Sequence, residues 1–296
     1  MLNLTLFLFT YILIIFSVLG YGVFFEKIFY DKSNSVSNIG YTGLIGVFFL
    51  IIYSYFSHFF IAHGYFHNVL VLLLGLIIFF YFSSVLFKKL DKFFFTIFIL
   101  LFFGLILFKT HDDFPYYHFP YTYHITQNST VFGIGDLNHG FKTPSSIFFL
   151  NSLFYLPFID YNLFQIGAIL FFGFSIIVLI IEIKKSLQNG EIDSIFFLRL
   201  LCLIFILVFF YRIQEHGTDR SAQILSLIFV IEIINLRKNY DKFNLFINKI
   251  IILLTLIVGL KLFFLLYIVF IIPFIYFLII DKKLHLLKKI FFNKLF

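Results

Sequence analysis

Apolar residues run along this chain in long unbroken stretches, and polar residues gather in short intervals between them. The stretches lie at about 2–24, 41–62, 66–87, 93–109, 161–182, 194–211, 220–236, 245–259 and 262–280. Most approach the roughly 20 apolar residues that carry a helix across the ~30 Å hydrocarbon core of a bilayer. Strands of a membrane barrel would alternate apolar and polar positions. These runs are continuously apolar, which excludes a β-barrel. The pattern predicts an all-α fold, a polytopic transmembrane helical bundle of about nine spans. Residues 145–158 (SSIFFLNSLFYLPF) are apolar but short and close at Pro157, so they are predicted to form a short interfacial or re-entrant helix. No internal repeat or low-complexity linker divides the chain. Residues 1–296 therefore read as a single integral membrane domain, with polar loops at 110–144 and 212–219.

Charge orients this layout. With 110–144 placed outside, sixteen of the 22 Lys and Arg residues fall in loops on the inner side, including Lys27, Lys32, Lys88, Lys89, Lys249, Lys289 and Lys294. Lys109, Lys142, Arg212, Arg220 and Lys261 lie outside, and Arg199 lies within a span. The positive-inside rule then puts the N-terminus outside and the C-terminus in the cytoplasm. A net charge of +7 distributed in this way is a topology signal, so nucleic acid is not expected as a partner. The opening MLNLTLFLF lacks a basic n-region, and no cleaved signal peptide is expected. Composition agrees: 61% of residues are hydrophobic and 12% charged, against roughly a quarter charged in soluble domains. The single cysteine, Cys202, excludes an intrachain disulfide.

The candidate chemistry gathers on the outer side. HDDFPYYHFPYTYH (111–124) places Asp112 and Asp113 directly after a span, followed by Tyr117 and His118. A carboxylate there can act as a general base toward an acceptor hydroxyl, and aromatic and imidazole groups suit sugar recognition. The same acids can also simply end a span in water, and Tyr is an ordinary interface residue. GIGDLNHGFKTPSS (133–146) supplies Asn138 and His139 in a glycine-rich loop. EHGTDR (215–220) supplies His216 and Asp219, where Asp219 can equally serve the helix dipole. Lys261 lies alone in an apolar stretch, where it can hold a lipid-linked phosphate or snorkel to headgroups. Glu232 and Arg199, also within spans, can pair or snorkel inward. No structural zinc spacing, nucleophile elbow or P-loop is present. A divalent metal held by Asp112, Asp113 and a histidine is compatible with the residues and not required by them.

Asp113, Tyr117 and His118 as D-x-x-x-Y-H, then NHGFKTPSSIFFL (138–150), TDRSAQIL (218–225) and Gly259 with Lys261, together resemble GT-C-type bacterial membrane glycosyltransferases. The likeness is to an uncharacterised GT-C-like group and covers about residues 100–270. It implies a GT-C-like fold and transfer of a sugar from a polyprenyl-phosphate-linked donor to a cell-envelope glycan or lipid at the outer face. It further implies Asp113 as base with Asp112 beside it. Tyr117, His118, Asn138 and His139 would line the acceptor and sugar pocket, with Asp219 and Lys261 bordering the same cavity; His216, from the EHGTDR loop, is a further candidate for substrate binding. Many GT-C enzymes are longer and carry their polar loop after the first span, whereas four apolar stretches precede it here. An O-antigen-type polymerase or ligase, a transporter or flippase, and a non-catalytic membrane subunit are the competing readings.

Overall fold

The computed structural model describes residues 4–29 and 38–288. Lys32, Lys289 and Lys294, counted above on the inner side, lie outside the described residues. The described chain is all-α. The first helices are α1 (Leu4–Phe29), α2 (Ile39–His58), α3 (Tyr65–Tyr81), the single turn α4 (Ser83–Leu86) and α5 (Lys92–Leu107). A polar segment follows, holding α6 (Phe119–Gln127) and α7 (Ser146–Ser152). The second half comprises α8 (Ile166–Asn189), α9 (Ser194–Phe209), α10 (Asp219–Lys238), α11 (Phe243–Leu260) and α12 (Ile271–Ile280), the last preceded by a 3₁₀ stretch from Leu262 to Phe270.

Helices lie at each of the nine apolar stretches, but length and hydropathy qualify five helical segments to cross a membrane: Leu4–Phe29, Ile39–His58, Tyr161–Asn189, Tyr240–Leu260 and Leu262–Ile280. Helices α3, α5 and α9 are apolar but shorter, and α10 is diluted by Asp219, Arg220, Glu232, Arg237 and Lys238. The molecule is a helical membrane protein by these features. Leu262–Ile280 is the most apolar of the five and only 11% buried, so it presents nearly its whole surface outward. That is the composition expected of a helix solvated by lipid.

Several polar side chains inside this bundle are satisfied by neighbouring backbone, because hydrocarbon supplies no partner. The Asn68 amide nitrogen lies 2.7, 2.8 and 2.9 Å from the carbonyl oxygens of His63, Ser152 and Tyr155, tying α3 to α7 and its exit. Asn151 accepts the Gly167 amide at 2.8 Å and fixes the start of α8. Helix α7 spans roughly 10 Å at 1.5 Å per residue, too short to cross. All its residues are buried, so it is packed into the bundle instead of lying along an interface.

Helices α1 and α2 meet backbone to backbone. A Cβ at Gly46 would stand 2.0 Å from the Val18 carbonyl oxygen, and one at Gly22 2.0 Å from that of Thr42. Small residues at such crossings let membrane helices gain dispersion contact that lipid cannot replace. Gly46→Ala is therefore expected to push α1 and α2 apart and to destabilise by about 1–3 kcal/mol, the usual range for overpacking. A thermal unfolding scan in detergent checks this, and an unchanged midpoint would show that the crossing tolerates separation.

Candidate functional site

Beyond α5 the chain forms a loop and then one π-helical turn, Phe114–His118, that runs directly into α6. Pro115 and Pro120 sit in the first turn of each, where a missing N–H leaves no bond unmade. The Asp113 carbonyl accepts the amides of both Tyr116 and Tyr117 at 3.1 Å. This wide turn brings the Tyr117 hydroxyl back onto the Asp113 side chain, donating to Oδ2 at 3.3 Å. Such turns recur at functional sites, where they re-aim side chains.

The 212–218 loop is clipped to the same place. His111 donates its amide to the Gln214 carbonyl at 3.1 Å, and Gln214 donates its side-chain amide to the Leu105 carbonyl. Gly217 takes φ +51°, and a Cβ there would lie 3.2 Å from His118 Cε1. Glycine both permits that backbone and leaves room for the imidazole. From the far side, Ser145 donates its hydroxyl to the Leu260 carbonyl at 2.6 Å, which sets the position of Lys261 at the break after α11.

These stretches enclose a cavity of about 330 Å³. Asp113, Tyr117, His118, His216, Asp219 and Lys261 all line it. Lys261 Nζ grips both Asp219 oxygens, at 2.6 and 2.7 Å, and Asp219 opens α10, where the helix dipole also favours an anion. The Asp113 side chain is about half exposed, with His111 Nδ1 3.7 Å from its Oδ2.

Asp112, Asn138 and His139 are not in this cavity. Asp112 points outward to Lys109 at 2.6 Å, and that ammonium holds its carboxyl below the usual range. It borders a neighbouring cavity of about 400 Å³ with Arg212 and Arg220. Both arginines bridge to Glu215 at 3.4 Å. Asn138 accepts the Gly140 amide at 2.8 Å and donates to the Tyr116 carbonyl at 3.0 Å, so it braces the π turn from behind. His139 is exposed on that same loop. His111, Glu215, Gly217, Thr218, Arg220 and Gln223 also line the cavity; all six lie within the stretches quoted from the sequence without being among the candidate site residues. Gln223 had a signal, since it lies four residues after Asp219 on one helix face.

Burial, then the neighbouring His111, pushes the His118 imidazole down to about 4, and burial pushes His216 down to about 4. Burial and the Asp113 carboxylate push the Tyr117 phenol up to about 12. Both imidazoles are therefore neutral at pH 7. His216 Nε2 lies 2.7 Å from the Phe210 carbonyl and so carries its proton there, leaving Nδ1 as a bare acceptor. His216 Nδ1 and His118 Nε2 find no hydrogen-bond partner among the described residues. The cavity thus offers a carboxylate, unsatisfied neutral imidazoles and an ammonium, groups that suit a hydroxyl-rich ligand with a nearby anion. Among the described residues, no three His, Cys, Asp or Glu side chains group so as to hold a metal ion.

The family model of a domain of unknown function, DUF8201, matches residues 4–296. The chain belongs to that family. No curated protein and no solved structure matches it.

The sign of the histidine linkage is fixed by these values. Both folded values lie below the ordinary 6.5, so the unfolded chain binds more protons between about pH 4 and 6.5. The stability contributed by the neutral imidazoles is present above 6.5 and is lost as pH falls toward 4. The unfolding midpoint in detergent is expected to drop between pH 7 and pH 5, and to drop less in His118→Gln. A midpoint flat across that range in the wild type would contradict the neutral, buried state.

Proposed function

We propose that this DUF8201 member is a GT-C-like membrane glycosyltransferase. It would move a sugar from a polyprenyl-phosphate-linked donor to a cell-envelope glycan or lipid at the outer face of the bacterial inner membrane. The observation that carries the reading is that Asp113 and Lys261, far apart in the chain, line one polar cavity at one end of an apolar bundle. In this reading nine helical segments cross the membrane, with the N-terminus outside and the basic loops inside.

Asp113 takes the proton of the acceptor hydroxyl as its oxygen bonds to the anomeric carbon. The bond from that carbon to the donor phosphate breaks, and the phosphate leaves with the electron pair. Tyr117, held on Asp113 Oδ2 at 3.3 Å, orients the carboxylate. His118 and His216, neutral and unsatisfied, take sugar hydroxyls. Lys261 sits where it can pass from Asp219 to the leaving phosphate, exchanging one charge-assisted bond for another.

Removing a general base ordinarily costs on the order of 10²–10⁴ in rate. Deletion of the gene is expected to remove one sugar from an envelope glycan, read by mass. Wild type and Asp112→Asn should restore it, and an equally expressed Asp113→Asn should not. Full rescue by Asp113→Asn would end the catalytic assignment of that residue.

A further inference from the structure

At the other end of α10 lies a second cavity, of about 570 Å³, which the transferase reading does not use. It opens between the C-terminal ends of α8 and α10 and the N-terminal ends of α9 and α11. Along α10 the two linings come within nine residues of each other, from Gln223 to Glu232, roughly 14 Å at 1.5 Å per residue.

Its floor is charged and almost fully buried. Glu232, 2% exposed, accepts at Oε1 from the Tyr41 hydroxyl at 2.6 Å and from Asn235 at 3.4 Å. Its Oε2 has no hydrogen-bond partner among the described residues, and Lys249 Nζ stops 3.8 Å away. Lys249 instead lies over the Tyr41 ring, 4.1 Å from its centre. One wall is Arg199, which donates to Ser186 at 3.1 Å and to Asn235 at 3.4 Å and sits 3.5 Å from Glu182. Lys185 and Lys242 stand exposed at the rim with no ion pair to a described residue.

A buried carboxylate oxygen without a donor is an acceptor waiting for a hydroxyl. Arg199 is paired with Glu182 and Lys238 with Asp193. That leaves two ammonium groups, Lys185 and Lys242, facing the one rim carboxylate without an ion pair to a described residue, Glu191, a balance that favours an anion. The ligand that meets both demands carries a phosphate at one end and hydroxyls at the other. The volume falls within the ordinary range of roughly 300–1,000 Å³ for small-molecule sites. We propose that this cavity binds a phosphorylated polyol, its phosphate held at the rim by Lys185 and Lys242 and its hydroxyls reaching Glu232 and Asn235. The ligand is either a soluble glycerol or sugar phosphate or the headgroup of an anionic lipid. Phe246 and Leu245 supply an apolar side against which the carbon skeleton packs.

The test uses the full chain in detergent or in phosphatidylcholine nanodiscs. Its probes are inorganic phosphate, glycerol 3-phosphate, and phosphatidylglycerol mixed into the nanodisc. Binding is read by calorimetry and native mass spectrometry. Either glycerol 3-phosphate or phosphatidylglycerol should bind on the order of tenfold tighter than inorganic phosphate, and a K185Q/K242Q double variant should lose a similar factor. Glu232→Gln should erase the preference over inorganic phosphate. Binding of the soluble probe identifies a free ligand, and binding of the lipid alone identifies a headgroup; both support the proposal. Absence of binding by both, equal binding of inorganic phosphate, or full affinity in K185Q/K242Q would overturn it. Because Lys185 and Lys242 are exposed, that arm reads out even where Glu232→Gln fails to fold.

Discussion

Charge inside an apolar bundle is costly unless each group is paired, and in this molecule the demand centres on α10. Its two ends are anchored by different partners. Asp219 is held by Lys261 from the end of α11, and Glu232 by Tyr41 of α2 with Lys249 of α11 close by. Three helices are thereby fixed relative to one another through groups that lipid could not satisfy. Both cavities lie beside these pairs, the first lined by Asp219 and Lys261 and the second by Glu232 and Lys249. Apolar packing surrounds them, with Phe171, Phe174 and Phe229 essentially inaccessible in the middle of the bundle.

Much of this was legible from the chain, for identifiable reasons. Long apolar runs define helices because nothing else satisfies their backbone in hydrocarbon, and every run coincides with a helix. The pairing of Tyr117 with Asp113 follows from their spacing within one turn. The pairing of Asp219 with Lys261 does not, because the residues are 42 apart and their meeting depends on how α10 and α11 pack. Adjacent Asp112 and Asp113 look equivalent as letters, yet the turn sends one to Lys109 in solvent and the other into the cavity. Asn138 and His139 sit beside the site in sequence, but their loop packs behind Tyr117. Lys249 read as one more basic loop residue, and the structure instead buries it over an aromatic ring. Local pattern carries helices and turns; only packing decides which charges meet.

The two ends of the bundle differ in chemistry in a way that bears on the proposed role. One cavity is built from the Asp113 carboxylate, the neutral His118 and His216, and the Lys261–Asp219 and Arg220–Glu215 ion pairs, and suits proton transfer to and from hydroxyls. The other has Lys185 and Lys242 at its rim and, at its floor, an acid with one oxygen lacking a hydrogen-bond donor among the described residues, and suits retention of an anion. Helix α10 contributes to both cavities and joins them. The DUF8201 match spans residues 4–296 and so takes in both ends.

The proposed function depends most directly on which side of the membrane the Asp113 cavity faces, since lipid-linked donors are presented outside and nucleotide sugars are not. Single cysteines at His139 and at Lys242, each in a Cys202→Ser background, can be labelled in intact cells with a membrane-impermeant maleimide. The account predicts that position 139 labels in intact cells and position 242 only after permeabilisation. The reverse pattern would place Asp113, Tyr117 and Lys261 in the cytoplasm and contradict a transferase working from a lipid-linked donor at the outer face.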